Sequence, residues 1–243
     1  MQSSRMSALR ILFALWCFVS LALTAIYNYD VPVYIVLPIV VAISAYVGWQ
    51  WWRANQNNAG VLLLRSGRTV AGLKKFEAAD ANGHSAVYAF NIALAELYLL
   101  RLDRSKAAFD RARRRGIPTH LRLHYEANYA LCCALSVSSP AALPAKLLAR
   151  QDPDALLAQG VTLARTGAWA SAEQVLLRRE LKQLGGFARA LSEAVAAFAA
   201  WHLRGERHRI DRTMLFGEVG DEGLSRGWPE LAEFLRDPES QQR

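Results

Sequence analysis

Two histidines have the spacing of a metal site. His120 and His124 lie four positions apart, with Glu126 close behind them. On one helix this spacing places both imidazoles on the same face, as in some zinc sites. A zinc site needs a third ligand, and the sequence indicates none. We therefore interpret the two histidines as structural or groove-lining residues and expect no metal or other cofactor.

A second segment matches a catalytic motif by its letters alone. Gly223-Leu224-Ser225-Arg226-Gly227 fits the G-x-S-x-G pattern of a serine nucleophile. That pattern acts only at a strand-turn-helix junction of an α/β sheet. Here it ends a polar, glycine-rich segment, Gly217 to Gly227, which we predict to be a connecting loop. No glycine-rich phosphate loop is present either, so the sequence predicts a protein that is not an enzyme.

A basic cluster precedes Gly116 and consists of Arg111, Arg113, Arg114 and Arg115. Cations complement the dipole at the C-terminus of a helix, and glycine commonly follows a helix end. Contact with anionic lipid or an acidic partner is the alternative interpretation. Because no nucleic-acid recognition motif or aromatic platform accompanies the arginines, we expect no nucleic-acid partner.

The elements that position these residues begin with an apolar N-terminal region. Residues 1–53 contain three of the 29 basic groups and one of the 21 acidic groups, and the rest of the chain has net charge +6. Leu9 to Tyr27 and Val33 to Trp52 are each close to the about 20 residues that cross a bilayer as a helix. We predict that residues 1–53 form a transmembrane helical hairpin with spans 9–27 and 33–52. A signal peptide followed by a buried helix is the alternative, but no clear cleavage site follows the first span.

Basic residues predict the orientation of the hairpin. They flank both spans on the outer sides and are absent from the turn between them: Arg5, Arg10, Arg53, Arg65, Arg68, Lys74 and Lys75. By the positive-inside rule, the N-terminus and the large C-terminal region then both lie in the cytoplasm. We expect a two-span protein of a bacterial inner membrane, in contact with lipid through both spans.

A repeat with a period of 33 residues follows the hairpin. Asn58-Ala59-Gly60 aligns with Asn91-Ile92-Ala93. In the same register Gly72 matches Ser105, Phe76 matches Phe109, and Ala79 matches Ala112. Each copy is typical of two helices that cross closely at small residues, with a large apolar side chain packed into the crossing.

This pattern resembles the tetratricopeptide repeat. Another copy contains Gly160, Leu163, Gly167, Trp169, Ala172 and Leu176. A degenerate copy lies between, with Asn128-Tyr129-Ala130 in its first helix, Ala142 and Ala149 in its second, and Lys146 where an aromatic is expected. A weaker fifth pair covers Phe187 to Phe216, with its turn at Gly205. The fold class is thus all-α: the hairpin, a solenoid like that of the family over residues 54–217, and a linker with a terminal capping helix over 218–243. In that helix Trp228, Leu231, Phe234 and Leu235 lie on one side.

The resemblance also implies a partner-binding groove, because the first helices of such repeats line the concave face. The candidate groove residues are Asn58, Leu64, Arg65, Phe90, Asn91, Leu94, Tyr98, His124, Asn128 and Arg165. The recurrent asparagines could bond to the backbone of an extended peptide or simply join neighbouring repeats. Asn57 and Phe90 replace the lysines with which family members hold a C-terminal carboxylate, so that mode of binding is not expected.

The function predicted is that of a membrane-anchored adaptor that recruits or organises other proteins. The layout is similar to that of HemY-type membrane proteins linked to haem biosynthesis and of accessory scaffolds of exopolysaccharide synthesis or secretion. An accessory membrane subunit that acts through its hairpin is one alternative, and a metal-dependent enzyme is another. The repeat is a scaffold used in many processes, so it does not identify the partner or the oligomeric state.

Overall fold

The computed structural model describes residues 16–17, 19–21, 24, 26–28, 32–136, 143–206, 210, 212–216 and 222–236. The chain divides into two compact units, Met1–Asn55 and Gln56–Arg243. From Val33 onward, the α-helices of the described residues are, in chain order, α1 (Val33–Arg65), α2 (Thr69–Ala79), α3 (Ala86–Tyr98), α4 (Leu102–Arg114), α5 (Arg122–Leu135), α6 (Ala145–Leu148), α7 (Pro153–Arg165), α8 (Trp169–Leu176), α9 (Gly186–Arg204), α10 (Thr213–Phe216), α11 (Glu222–Gly227) and α12 (Pro229–Arg236). Short 3₁₀-helices lie at Thr119–Leu121 and Arg179–Gln183. No strand occurs among these residues, which confirms the all-helical class.

Helix α1 is long and apolar enough to cross a membrane. Large apolar side chains along it are exposed, among them Tyr34, Leu37, Ile39 and Trp51. Such exposure is costly in water but favourable in lipid. The second predicted span, 33–52, therefore lies within a real helix, but that helix has 33 residues and continues past the predicted end to Arg65. Most of the first predicted span, 9–27, lies outside the described residues, so the hairpin stays a prediction.

The second unit begins with a close crossing between the end of α1 and α2. A Cβ atom added at Gly60 would lie 2.5 Å from Cε1 of Phe76, and one added at Gly72 would lie 3.0 Å from the carbonyl oxygen of Gly60. Phe76 is completely buried. Two glycines thus let the helices approach until the phenylalanine ring fills the space between them.

The same crossing recurs at equivalent positions in later helix pairs. Between α3 and α4, Ser105 replaces Gly72 and its hydroxyl donates a hydrogen bond of 2.8 Å to the carbonyl oxygen of Ala93. Phe109 is as buried as Phe76. Between α7 and α8, a Cβ atom added at Gly160 would lie 2.5 Å from the side chain of Leu176. The predicted small-to-large register therefore corresponds to real contacts in three helix pairs.

The third pair differs from the others in its second helix. Helix α6 has only four residues and follows Pro144, which suits a helix start but cannot continue a preceding helix. Ala149 lies just beyond its end, and Ala142 is outside the described residues. As a result, α5 packs directly against α7.

Helix α9 forms the interior of the second unit. Most of its 19 residues are buried, including Leu191, Ser192, Val195 and Phe198. Its one open side has Arg189 and Glu193, which form an ion pair with both side chains more than half exposed. It ends at Gly205, whose φ of 68° is a left-handed conformation that glycine adopts without strain. The predicted fifth pair thus consists of a long buried helix followed by the short α10.

The C-terminal segment, residues 222–236, corrects one prediction and supports another. Residues 222–227 were predicted to be part of a loop, but they form α11. A Cβ atom at Gly223 would lie 1.8 Å from the carbonyl oxygen of Leu100, and one at Gly227 would lie 1.9 Å from that of Leu135. The two glycines therefore allow α11 to pack closely against these backbone carbonyls, and they do not interrupt the helix. The side chains predicted for the terminal helix are all buried: Trp228, Leu231, Phe234 and Leu235.

Leu100 has a left-handed conformation with a φ of 53°. The equivalent turns of the first and fourth pairs have Gly67 and Gly167 at this position, with φ of 78° and 80°. A non-glycine residue there costs about 1–2 kcal/mol. The Leu100 side chain is only 2% exposed and lies beneath Gly223. The free energy gained by burying this side chain offsets the free-energy cost of the left-handed backbone.

We predict that Gly223→Ala and Gly227→Ala each destabilise the protein by about 1–3 kcal/mol or more, because the new methyl group meets a backbone carbonyl that cannot rotate away. The measurement is denaturant unfolding of the detergent-solubilised chain, followed by circular dichroism. Ser225→Ala on the same helix is the control and should change stability by about 0.5 kcal/mol or less. Equal stability of all three variants would contradict the packing of α11 on these carbonyls.

Candidate partner-binding surface

Two predicted groove residues, Phe90 and Asn128, are not on an open surface. Phe90 is 5% exposed and its ring lies 6.0 Å from that of Phe109 and 6.3 Å from that of Tyr125, measured between centroids. Asn128 is 6% exposed, and its Nδ2 donates to the carbonyl oxygen of His124. Phe90 is therefore a core residue, and the Asn128 amide is used within its own helix.

Tyr98 is also less available than the sequence predicted. Its ring stacks on Phe187 of α9, with centroids 5.0 Å apart. Burial raises the pKa of the Tyr98 hydroxyl, and the charge of Asp154 raises it further. The phenol thus remains protonated at neutral pH and acts as a packing residue with one polar end.

Arg165 is held by the C-terminal segment. Its Nη2 donates a 2.8 Å hydrogen bond to the carbonyl oxygen of Gly227, and its Nη1 lies 3.6 Å from a carboxylate oxygen of Glu230. The guanidinium carbon lies 5.2 Å from the ring centroid of Trp228, a favourable cation–π distance. Arg165 therefore anchors the C-terminal segment. The sequence analysis did not predict this role.

The remaining predicted residues are accessible. Asn58, Arg65 and His124 are exposed, while Leu64, Asn91 and Leu94 are half-buried. They lie on the first helices of the first three pairs. The accessible part of the predicted groove is therefore smaller than expected, and it contains both basic and amide side chains.

The recurrent asparagines have different environments. Asn91 Nδ2 donates a 2.7 Å hydrogen bond to Oδ1 of Asn57, which joins the first helices of neighbouring pairs. Asn58 is exposed, and Asn128 bonds within α5. Of the two interpretations of these asparagines, the joining of neighbouring repeats fits Asn91. The acceptor, Asn57, was not among the predicted groove residues, because the sequence pattern indicated only that it replaces a lysine of the family.

A second polar link joins α5 to α7. Nδ1 of His124 lies 2.8 Å from Oδ2 of Asp154. A carboxylate at Nδ1 orients the imidazole and leaves Nε2 directed away from that bond. Asp154 was not among the predicted residues. It lies 30 positions after His124, which is also the spacing between the small residues Ala130 and Gly160. The repeat alignment therefore placed His124 and Asp154 at equivalent positions of neighbouring first helices, where a contact could have been predicted.

The candidate catalytic and metal residues are not assembled into such sites. His120 lies in the 3₁₀-helix Thr119–Leu121, whereas His124 lies on α5, so they do not share a regular helix face as predicted. Ser225 lies within α11, and its hydroxyl is a hydrogen-bond partner of Arg236. A nucleophile elbow requires a strand before the serine, and α11 provides none. Within the described residues, no group of three or more His, Cys, Asp or Glu side chains could hold a metal ion.

Comparison of the chain with protein-family models, curated proteins and solved structures found no match. Its resemblance to the tetratricopeptide repeat therefore depends on its own residues and on the helix crossings described above.

We predict that Asn57 and Asn91 are energetically coupled. Asn57→Ala and Asn91→Ala should each destabilise the second unit by about 0.5–1.5 kcal/mol, and the double variant should lose much less than the sum. The measurement is a double-mutant cycle from denaturant unfolding. Asn58→Ala provides the control because it is exposed on the same helix. Full additivity of the two changes would show that the bond contributes nothing to stability.

Proposed function

We propose that this protein is a membrane-anchored adaptor of the tetratricopeptide type, which recruits or organises other proteins at the cytoplasmic face of a bacterial inner membrane. The observation that carries the proposal is the recurrence of one helix crossing, with Gly60, Ala93 and Gly160 at the equivalent position. Repeated helix pairs of this kind act as binding scaffolds because each pair offers similar side chains to an extended partner.

The membrane part of the proposal is supported by α1, whose exposed apolar side chains suit lipid. We propose that it is the second of two spans that form a hairpin over residues 1–53. The positive charges on both outer sides of the spans favour a cytoplasmic N-terminus and a cytoplasmic repeat domain.

The binding part of the proposal concerns the accessible side chains of the first helices. Asn58, Arg65 and His124 are exposed there, and Asp154 fixes the orientation of His124. These groups can donate and accept hydrogen bonds with a peptide or a partner helix. We propose protein partners and no catalytic step, because Ser225 bonds to Arg236 and His124 bonds to Asp154.

We predict that the combined variant Asn58→Ala, Arg65→Ala and His124→Ala stays folded and membrane-bound but captures its partners at least about tenfold less, since truncation at an interface centre often costs 2 kcal/mol or more. The measurement is crosslinking in intact membranes followed by mass spectrometry. The control, Arg113→Ala with Arg114→Ala, also removes exposed side chains, but from the C-terminal end of α4.

The adaptor proposal is wrong if the combined variant keeps every partner while replacement of residues 1–53 by an unrelated membrane anchor loses them all. That outcome would assign the interaction to the membrane hairpin and favour an accessory membrane subunit.

A separate prediction concerns topology. A reporter that is active only in the cytoplasm should function when fused after Arg243, and a periplasmic reporter at the same position should not, because basic residues flank both spans on one side. The control places each reporter in the predicted turn, after Asp30, where the activities should be reversed. Periplasmic activity at the C-terminus would contradict the orientation and favour the signal-peptide alternative.

A further inference from the structure

Two exposed leucines lie on adjoining segments of the second unit. Leu148, the last residue of α6, is 49% exposed, and Leu177, directly after α8, is 65% exposed. Nη1 of Arg178 donates a hydrogen bond to Oε1 of Gln151, which joins the two segments. We call residues 148–151 together with 177–182 the leucine–arginine surface.

The fold itself turns these two leucines outward. Each segment also contains or adjoins a leucine that is buried in the core: Leu147 is 1% exposed and Leu181 is 3% exposed. Because these buried side chains hold both segments in place, the exposure of Leu148 and Leu177 is a property of the packing. Leaving such a side chain in water forgoes about 1.5–3 kcal/mol of burial energy.

The same segments carry an excess of positive charge. They contain four basic residues, Arg150, Arg178, Arg179 and Lys182, and one acidic residue, Glu180. The side chains of Arg150, Arg179 and Lys182 are exposed, and none of the three forms an ion pair with another residue that the structure describes. These three cations are therefore available to an anionic partner.

The acidic residues that follow in α7 are already engaged. Asp152 accepts a hydrogen bond from the backbone nitrogen of Ala155 and so caps the helix, and Asp154 bonds to His124. Both aspartates are half-buried, as is Glu180. The accessible charge of the leucine–arginine surface is therefore mainly positive.

This combination of side chains suits an anionic lipid surface. Proteins that bind at the membrane interface insert apolar side chains at the boundary of headgroups and acyl chains, and their basic side chains meet anionic headgroups. Two separate leucines do not form a groove for a partner helix. The soft headgroup layer, in contrast, requires no complementary shape.

The chain also keeps the second unit close to lipid. The unit begins at Gln56, four residues after Trp52, where the predicted span ends. Four residues cover at most about 14 Å even when fully extended. In any orientation the unit thus starts beside the membrane surface, and a weak contact with that surface gains from the high local concentration of lipid.

We propose that the leucine–arginine surface docks on anionic lipid headgroups. Leu148 and Leu177 enter the headgroup layer, and Arg150, Arg179 and Lys182 lie against the phosphates. This inference rests on the proposed membrane anchor and concerns a surface separate from the accessible first-helix residues of the adaptor. Docking would restrict the orientations in which the adaptor meets its partners.

The test is brief amine acylation of the full-length chain in nanodiscs, read by mass spectrometry. The discs contain phosphatidylcholine alone or phosphatidylcholine mixed with phosphatidylglycerol. We expect Lys182 to react about threefold or more slowly in the anionic discs, while the exposed Lys74 changes less and serves as the internal reference. Sodium chloride at about 1 M, where the Debye length is about 3 Å, should remove the difference.

Two pairs of substitutions separate the apolar and the charged contributions. Leu148→Ser with Leu177→Ser should weaken docking by about tenfold or more, whereas the control, Leu62→Ser with Leu203→Ser, changes exposed leucines elsewhere and should not. Arg150→Gln with Arg179→Gln should have a similar effect because two cations are lost, and Arg113→Gln with Arg114→Gln is its matched control.

Equal acylation of Lys182 in both kinds of disc, or equal effects of the surface and control variants, would overturn the proposal. Protection of Lys182 in native membranes but not in protein-free anionic discs would assign the surface to an acidic protein and would overturn it as well. A chain that does not co-elute with discs of either composition would contradict the membrane anchor itself, and the docking with it. Equal acylation in discs that do carry the chain would leave the anchor standing.

Discussion

Close approach of helices at small residues is the constraint on which the second unit depends. At the first crossing, Gly60 and Gly72 bring two backbones together and Phe76 fills the remaining space. At the second, Ala93 and Ser105 achieve the same approach, with a hydrogen bond in place of bare contact. Protein interiors are packed as densely as organic crystals, so a larger side chain at any of these positions would separate the helices. Each crossing fixes one pair and thereby the surface on which the next pair packs.

The C-terminal segment applies the same rule in a different setting. Gly223 and Gly227 lie four residues apart and contact the carbonyls of Leu100, in the turn after α3, and of Leu135, the last residue of α5. Arg165 then bonds to the carbonyl of Gly227 at the end of α7. The segment therefore binds to the C-terminal ends of three first helices in succession. The same segment buries Leu231 and Leu235 against the rest of the second unit, so it covers apolar surface as well as the ends of the helices.

Sequence reasoning predicted the crossings well because the spacing from small to large residue is local and recurs along the chain, at intervals of 30 to 37 residues. It failed where the decisive neighbour is distant in sequence. Phe90 has the right position for a groove residue, but Phe109 and Tyr125 enclose it. The glycines of α11 were interpreted as loop residues because glycine weakens isolated helices. Their spacing of four was the available signal for a helix packed closely against backbone. Likewise, Pro144 was a local sign that the second helix of the third pair is short. The His124–Asp154 link was accessible in principle, because both residues occupy the same repeat position.

The left-handed turn at Leu100 has a consequence for biosynthesis. A leucine in this conformation is strained, and the contact that covers it comes from Gly223, more than a hundred residues later in the sequence. During synthesis the earlier helix pairs can form before Gly223 has been added, but this turn then lacks its cover. The turn can therefore reach its final packing only after α11 has been synthesised and has folded against it. Molecules that terminate early would keep an uncovered leucine at this turn, which is the kind of exposed apolar surface that cellular proteases and chaperones recognise.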